Sequence, residues 1–151
     1  MGRMVIGVDI GGTNLRGALV TPEGGILKQL RIASDADDGI DTVVDNLARL
    51  VNELSREGDV SGVGVGIAGV IDSKAGVITQ APNIAKVVNY PIRDNLAKKL
   101  GSNISVVIEN DANCAALGEW WMGAGKDAAS IVMITLGTGV GGGIILDGKL
   151  W

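Results

Sequence analysis

Two stretches of the sequence share one plan, in which an apolar run is followed by glycines and then by a second apolar run. They are VIGVDIGGTNLRGALV at residues 5–20 and IVMITLGTGVGGGIIL at residues 131–146. Apolar runs bounded by glycines in this way are typical of strands joined by a turn. Thr135 holds the place in the second stretch that Asp9 holds in the first. The repetition predicts that a second copy of one folding unit begins near residue 128.

The residues between these stretches predict alternating strands and helices. Apolar residues at helical spacing indicate helices, and short apolar runs between turn residues indicate strands. The elements follow each other in the order β-β-β-α-β-α-β-α, and the first three strands form an antiparallel meander. These elements make up an α/β lobe of residues 1–127, and residues 128–151 are the start of a second lobe. We expect strands at Met4–Ile10, Asn14–Thr21, Ile26–Ile32, Val60–Ile67 and Ile104–Glu109, a small hairpin at Val70–Ile71 and Val77–Thr79, and helices at about 40–54, from Pro91 to about Leu100, and at Asp111–Met122.

Composition limits the functions that this chain can have. Its 151 residues are 46% hydrophobic, which is enough for a core. The net charge is −4 and no Lys/Arg run is present, so neither nucleic acid nor a membrane surface is an expected partner. A single cysteine and an N-terminus without an apolar signal core indicate the cytoplasm. The chain has no histidine, which removes that residue from any mechanism.

The first glycine pair has two interpretations. Glycine tolerates positive φ, so a hairpin turn alone would account for Gly11 and Gly12. It does not account for Asp9. A carboxylate at the end of an apolar strand, followed by bare backbone N–H groups and the Thr13 hydroxyl, is what binding of a metal-bound phosphate requires. Two such turns, at equivalent positions of units packed with pseudo-twofold symmetry, would meet at one cleft.

Two other glycine clusters resemble nucleotide-binding motifs without meeting their requirements. Gly64-Val-Gly-Ile-Ala-Gly69 fits G-x-G-x-x-G, but a dinucleotide site needs a helix directly afterwards, and here a hairpin is predicted. Gly123-Ala-Gly-Lys126 lacks both the upstream glycine and the Ser/Thr of a Walker motif, which predicts a simple loop.

Four motifs, in this order and spacing, resemble the N-terminal half of ROK-family sugar kinases of the bacterial glucokinase type. They are Asp9-Ile-Gly-Gly-Thr-Asn14, Ala81-Pro-Asn-Ile84, Glu109-Asn-Asp-Ala-Asn113 and Leu136-Gly-Thr-Gly-Val-Gly-Gly-Gly143. The resemblance covers essentially the whole chain. It implies the ribonuclease H-like, two-lobed fold shared by actin, hexokinase and the Hsp70 ATPase domain. It also implies ATP-dependent phosphorylation of a hexose, with glucose converted to glucose 6-phosphate.

The resemblance also implies roles for individual residues. Asp111 is the catalytic base and binds the sugar, Asn110 holds a neighbouring sugar hydroxyl, and Asn83 and the backbone near Gly69 belong to the sugar site. On the residues alone, Asn110 or Asp111 is the N-cap of the predicted helix, and a cap can coexist with either role. The nucleotide site is expected to comprise Asp9, which faces Mg²⁺ through water, together with Gly11, Gly12, Thr13, Asn14, Gly137, Thr138, Gly139 and Gly141.

ROK kinases continue with a Glu-x-Gly-His segment that binds the sugar and usually with a cysteine cluster that binds zinc. Neither is present in these residues, so the resemblance describes a longer parent protein. We expect the 151-residue chain alone to be inactive, and to self-associate through residues 131–146 or to leave them poorly ordered. The expected partners of the parent are a hexose, a nucleotide and further copies of itself.

Two other functions stay open. One is a ROK-type sugar-responsive transcriptional repressor, which the eight residues before Asp9 disfavour, since a DNA-binding domain would precede the first glycine turn. The other is an activator-type ATPase of the same superfold. By the resemblance, Asn83 and the Asn110-Asp111 pair favour a sugar substrate.

Overall fold

The computed structural model describes residues 3–101, 103–137 and 139–151. The chain divides into two compact units, the first ending at Glu109 and the second comprising Asn110–Trp151. In the described residues the elements are β1 (Met4–Ile10), β2 (Asn14–Val20), β3 (Ile26–Ala33), a turn of 3₁₀ helix (Ala36–Asp38), α1 (Ile40–Ser55), β4 (Val60–Ile67), β5 (Val70–Asp72), β6 (Val77–Gln80), β7 (Val88–Tyr90), α2 (Ile92–Leu100), β8 (Ser105–Asn110), α3 (Asp111–Met122), β9 (Ile131–Leu136), β10 (Val140–Leu146) and β11 (Lys149–Leu150).

The first unit is built on a five-stranded sheet in the order β3-β2-β1-β4-β8. Strands β1 to β3 pair antiparallel, which confirms the predicted meander. Strand β4 lies parallel to β1, with Ile67 opposite Ile10. Because the carboxyl ends of parallel strands meet at one edge of a sheet, the turn that follows β1 and the bend that follows β4 lie side by side.

Helix α1 covers one face of this sheet. Its apolar residues recur at helical spacing, and Leu47, Leu50 and Leu54 are fully buried. A Cβ on Gly17 of β2 would collide with the Leu50 side chain and would lie 3.0 Å from Cδ1 of Leu54. The glycine therefore lets α1 pack closely against β2, on the face of the sheet that the helix covers. Among the described residues, no α-helix has the length and apolar character that crossing a bilayer requires.

A small antiparallel sheet, β5-β6-β7, also belongs to the first unit. Its β5–β6 hairpin was predicted, whereas β7 was not. The turn of the hairpin is closed by Asp72, whose carboxylate accepts from the Ala75 N–H and whose carbonyl accepts from the Gly76 N–H. Helix α2 follows directly after Pro91, as predicted.

The second unit consists of α3 and the antiparallel sheet β11-β10-β9. Helix α3 thus groups with the strands that follow it in the chain. The predicted lobes of residues 1–127 and 128–151 stay a prediction. On the sheet, alternate residues of β9 and β10 share one face, since Val132 pairs with Ile144 and Leu136 with Val140. This apolar face is exposed and comprises Val132, Ile134, Leu136, Val140, Ile144 and Leu146.

We expect the isolated 151-residue chain to self-associate through the apolar face, because exposed contiguous apolar strands find cover in another molecule. Sedimentation velocity should show concentration-dependent association, which the double variant Val132→Glu, Ile134→Lys abolishes. Val88→Lys is the matched control, since Val88 is equally exposed on β7 but lies outside this face. A wild-type chain that sediments as a monomer at all concentrations would contradict the expectation.

Candidate functional site

The first glycine turn connects β1 to β2, and its geometry corrects one sequence-based explanation. The Gly11 N–H donates to the carbonyl oxygen of Asn14 at 2.9 Å, which closes the turn. Positive φ, the conformational reason offered for the glycines, is found at other glycines of the chain and not at Gly11 or Gly12. Space limits Gly11 instead, since a Cβ there would lie 3.1 Å from the Asn14 carbonyl oxygen. A Cβ on Gly12 would lie 3.4 Å from the Cβ of Asn83, an ordinary van der Waals distance.

Asp9, the second-to-last residue of β1, is exposed beside this turn. The described residues contain no cluster of three or more His, Cys, Asp or Glu side chains that could hold a metal. One carboxylate beside a turn nevertheless suits Mg²⁺, which keeps several waters and takes phosphate oxygens as further ligands. Asp9 and the Thr13 hydroxyl are therefore suitable donors for a metal bound together with phosphate, and this role stays a prediction.

Arg16 is a neighbour of Asp9 that none of the sequence motifs includes. It lies directly opposite Asp9 on β2, and Arg31 lies opposite Arg16 on β3. Residues opposite each other in a sheet have their side chains on the same face. The signal was available, because the register of a hairpin is symmetric about its turn and pairs residue 9 with residue 16.

The predicted sugar residues of the first unit lie beside the turn. Gly69 has φ +148°, and a Cβ there would collide with the carbonyl oxygen of Gln80 and lie 3.1 Å from the Cα of Ala81. Only glycine combines a ready positive φ with the absence of a Cβ. Two residues after Ala81, Asn83 lies against Gly12, with its carbonyl oxygen 3.5 Å from where a Gly12 Cβ would lie. The structure therefore brings together residues assigned to the phosphate and to the sugar.

The start of α3 holds Asn110, predicted to bind the sugar, and Asp111, the predicted catalytic base. Asn110 is the N-cap, with Oδ1 accepting from the N–H groups of Ala112 at 2.9 Å and Asn113 at 3.2 Å, which confirms that part of the prediction. Asp111 is half-buried, and its Oδ1 accepts from the Ala112 N–H at 2.9 Å. Within the described residues, Oδ2 of Asp111 makes no hydrogen bond. A carboxylate oxygen on a fixed helix start is suited to accept a proton from a ligand.

The residue before this pair is also held in place. Glu109 is the last residue of the first unit, and its Oε2 accepts a 2.7 Å hydrogen bond from the hydroxyl of Ser73 in the β5–β6 hairpin. A charge-assisted bond of this length anchors the end of β8. The main chain therefore enters Asn110 from a fixed position.

The glycines in and after the second glycine turn differ in whether a side chain would fit. The Gly137 N–H donates to the Gly139 carbonyl oxygen at 2.9 Å, and a Cβ on either residue would meet nothing within 4 Å, so this backbone is open. A Cβ on Gly141 would instead lie 2.7 Å from the Thr135 hydroxyl and 3.1 Å from the Ala112 Cβ. Gly141 thus serves the packing of β10 on α3, and its nucleotide role stays a prediction. Thr138 lies outside the described residues.

The predicted site residues fall in both units. Asp9, Gly11–Asn14, Gly69 and Asn83 belong to the first, and Asn110, Asp111 and the second glycine turn to the second. Their meeting at one cleft stays a prediction.

Comparison with known proteins gives a consistent result. A sequence model described as "ROK family" matches residues 5–151. A glucokinase from Halalkalibacterium halodurans is 39% identical over 98% of this chain and 46% of its own length. The chain thus spans about half the length of the curated relatives it matches.

Solved structures confirm the predicted actin- and hexokinase-like α/β fold class. A ROK family glucokinase from Streptomyces griseus, in complex with glucose and AMPPNP, superposes with a TM-score of 0.88 at 41% identity, over 98% of this chain and 46% of that one. A ROK family transcriptional regulator, a homolog of the MLC protein of E. coli, superposes with a TM-score of 0.86 at 25% identity, over 100% of this chain and 38% of that one.

Proposed function

Because this chain belongs to the ROK family, we propose that it forms the N-terminal half of an ATP-dependent hexose kinase that converts glucose to glucose 6-phosphate. The observation that carries the proposal is the contact in the first unit between Asn83, assigned to the sugar, and Gly12, assigned to the phosphates. Transfer of a phosphoryl group requires acceptor and donor to lie next to each other. A relative named glucokinase and a neighbour solved with glucose and AMPPNP support the choice of substrates.

In this proposal the nucleotide is bound mainly by main-chain groups. The turn Gly11–Asn14 presents the N–H groups of Gly12 and Thr13 to one side of the phosphates, and Gly139 presents its N–H to the other, while the Gly11 and Gly137 N–H groups close their own turns. A chain with a net charge of −4 and no basic run binds an anion more readily through such groups than through lysines. Mg²⁺, when bound, would neutralise phosphate charge, and Asp9 would hold it through water.

In this reaction Asp111 is the general base. Its carboxylate accepts the proton of the attacking sugar hydroxyl, whose oxygen bonds to the γ-phosphorus while the bond to the β,γ-bridging oxygen breaks and ADP leaves. Asn83 and Asn110 orient the sugar by hydrogen bonds. The capping contacts of Asn110 keep that side chain in one position. We further propose a cytoplasmic homo-oligomer, with any structural zinc held by the other half of the protein.

A transcriptional regulator is the second candidate, since part of such a protein superposes on the whole of this chain. It would bind sugar without turnover.

A coupled ADP-release assay of the full-length protein distinguishes these functions. We expect ADP release that depends on glucose and is weaker with mannose or N-acetylglucosamine. The isolated 151-residue chain is expected to show none. Glucose binding without turnover would support the regulator, and ADP release that ignores sugar would indicate an ATPase. Either result would contradict the kinase proposal.

A further inference from the structure

Ser34 holds the inner side of the first glycine turn. It follows β3 directly and is completely buried. Its N–H donates to the Thr13 carbonyl oxygen at 3.0 Å, and its hydroxyl donates to the Gly12 carbonyl oxygen at 2.8 Å. One residue therefore fixes two successive carbonyl groups of the turn.

The direction of these carbonyls determines where the adjoining N–H group points. In a planar trans peptide the C=O and the N–H of the next residue point in opposite directions, and the described residues contain no cis peptide. With the Gly12 carbonyl held against Ser34, the Thr13 N–H points away from Ser34. Thr13 is itself exposed. This orientation presents an N–H donor to an anion outside the turn.

Asn46 of α1 holds Ser34 in turn. It is only 9% exposed, and its Nδ2 donates to the Ser34 carbonyl oxygen at 3.2 Å and to Oδ2 of Asp35 at 2.8 Å. Asp35 has φ +52°, a conformation that is uncommon for non-glycine residues and that aspartate tolerates better than most. Burying a polar side chain costs free energy unless it is hydrogen-bonded, and an apolar residue at position 46 would be enough if packing were the only requirement. The amide instead fixes the path of the chain from β3.

We propose that Ser34 and Asn46 are positioning residues that aim the Gly12–Thr13 peptide at the nucleotide phosphates. The inference rests on the proposed kinase function, whose nucleotide site it deepens. Neither residue belongs to any of the four motifs of the sequence analysis. The two act through the turn, and neither is placed in contact with substrate.

Ser34→Ala in the full-length protein tests this inference. We expect its affinity for AMPPNP to fall about five- to tenfold, as for the loss of one hydrogen bond, with glucose affinity changed less than about twofold. The matched control is Ser55→Ala, which removes a serine hydroxyl bond of the same 2.8 Å length, to the Val51 carbonyl oxygen within α1. Calorimetry with AMPPNP and with glucose, at a temperature where thermal unfolding shows every variant folded, gives both affinities.

The outcomes separate this inference from the kinase proposal. A wild-type protein that does not bind AMPPNP would refute both. Wild-type binding with unchanged affinity in Ser34→Ala, or equal losses in Ser34→Ala and Ser55→Ala, would overturn only the positioning role. If Ser34→Ala does not fold, Asn46→Ala decides, since it leaves Ser34 intact. A loss of AMPPNP affinity of about threefold or more, with glucose affinity retained, supports the inference, and unchanged AMPPNP affinity overturns it.

Discussion

Asp111→Asn in the full-length protein is expected to lower kcat by about 10²–10⁴-fold, the usual effect of losing a general base. An amide cannot accept the proton of the attacking sugar hydroxyl. Glucose affinity should change little, because asparagine keeps an oxygen where Oδ1 of Asp111 accepts from the Ala112 N–H. The coupled assay measures kcat, and calorimetry measures glucose affinity.

Asp94→Asn is the matched control for this experiment. Asp94 lies in the first turn of α2, as Asp111 lies in the first turn of α3, and its carboxylate is mostly exposed. We expect this variant to turn over glucose at the wild-type rate. A full-length Asp111→Asn enzyme with unchanged kcat would show that another group takes the proton, and the assignment of Asp111 would be wrong.

The elements that could be predicted are those with a strong local pattern. Strand Val60–Ile67 and helix Asp111–Met122 were predicted with the bounds that the structure has. The strand is an apolar run bounded by turn residues, and the helix starts at an N-cap asparagine. Such signals lie within a few residues of the element they define, so a single sequence is enough to find them.

Strands β7 and β11 were not predicted, because their conformation comes from their pairing partners. Strand β7 has three residues and β11 two, and each pairs with a longer strand, β6 or β10. A segment of this length shows no readable periodicity. Its conformation depends on contacts made after the chain has folded.

The candidate site likewise has a part that the sequence predicted and a part that it did not. Its motif residues were identified through the resemblance, but their surroundings were not. The contact of Asn83 with Gly12 and the bonds of Ser34 to the turn join parts of the chain that are far apart in sequence. The packing role of Gly141 against α3 is likewise a tertiary contact, which a glycine in a motif does not reveal.

Gly12→Val is expected to lower the affinity of the full-length protein for AMPPNP by at least about tenfold, because a side chain would fill the space where backbone N–H groups approach the phosphates. The effect on folding should be small, since Gly12 does not have a positive φ and its Cβ would find only ordinary van der Waals contact. Calorimetry with AMPPNP measures the first effect, and thermal unfolding measures the second.

A graded series distinguishes a phosphate cradle from a structural turn. Gly12→Ala places only a Cβ, 3.4 Å from that of Asn83, and should lose less AMPPNP affinity than valine. The additional methyl groups of valine are expected to displace the exposed Asn83 side chain at little cost in stability, so only Gly12→Val should also weaken glucose binding. Gly25→Val is the matched control in the β2–β3 turn, where no ligand is proposed, and it should leave both affinities unchanged. If Gly12→Val loses stability and keeps its AMPPNP affinity, the turn is structural and the phosphates bind elsewhere.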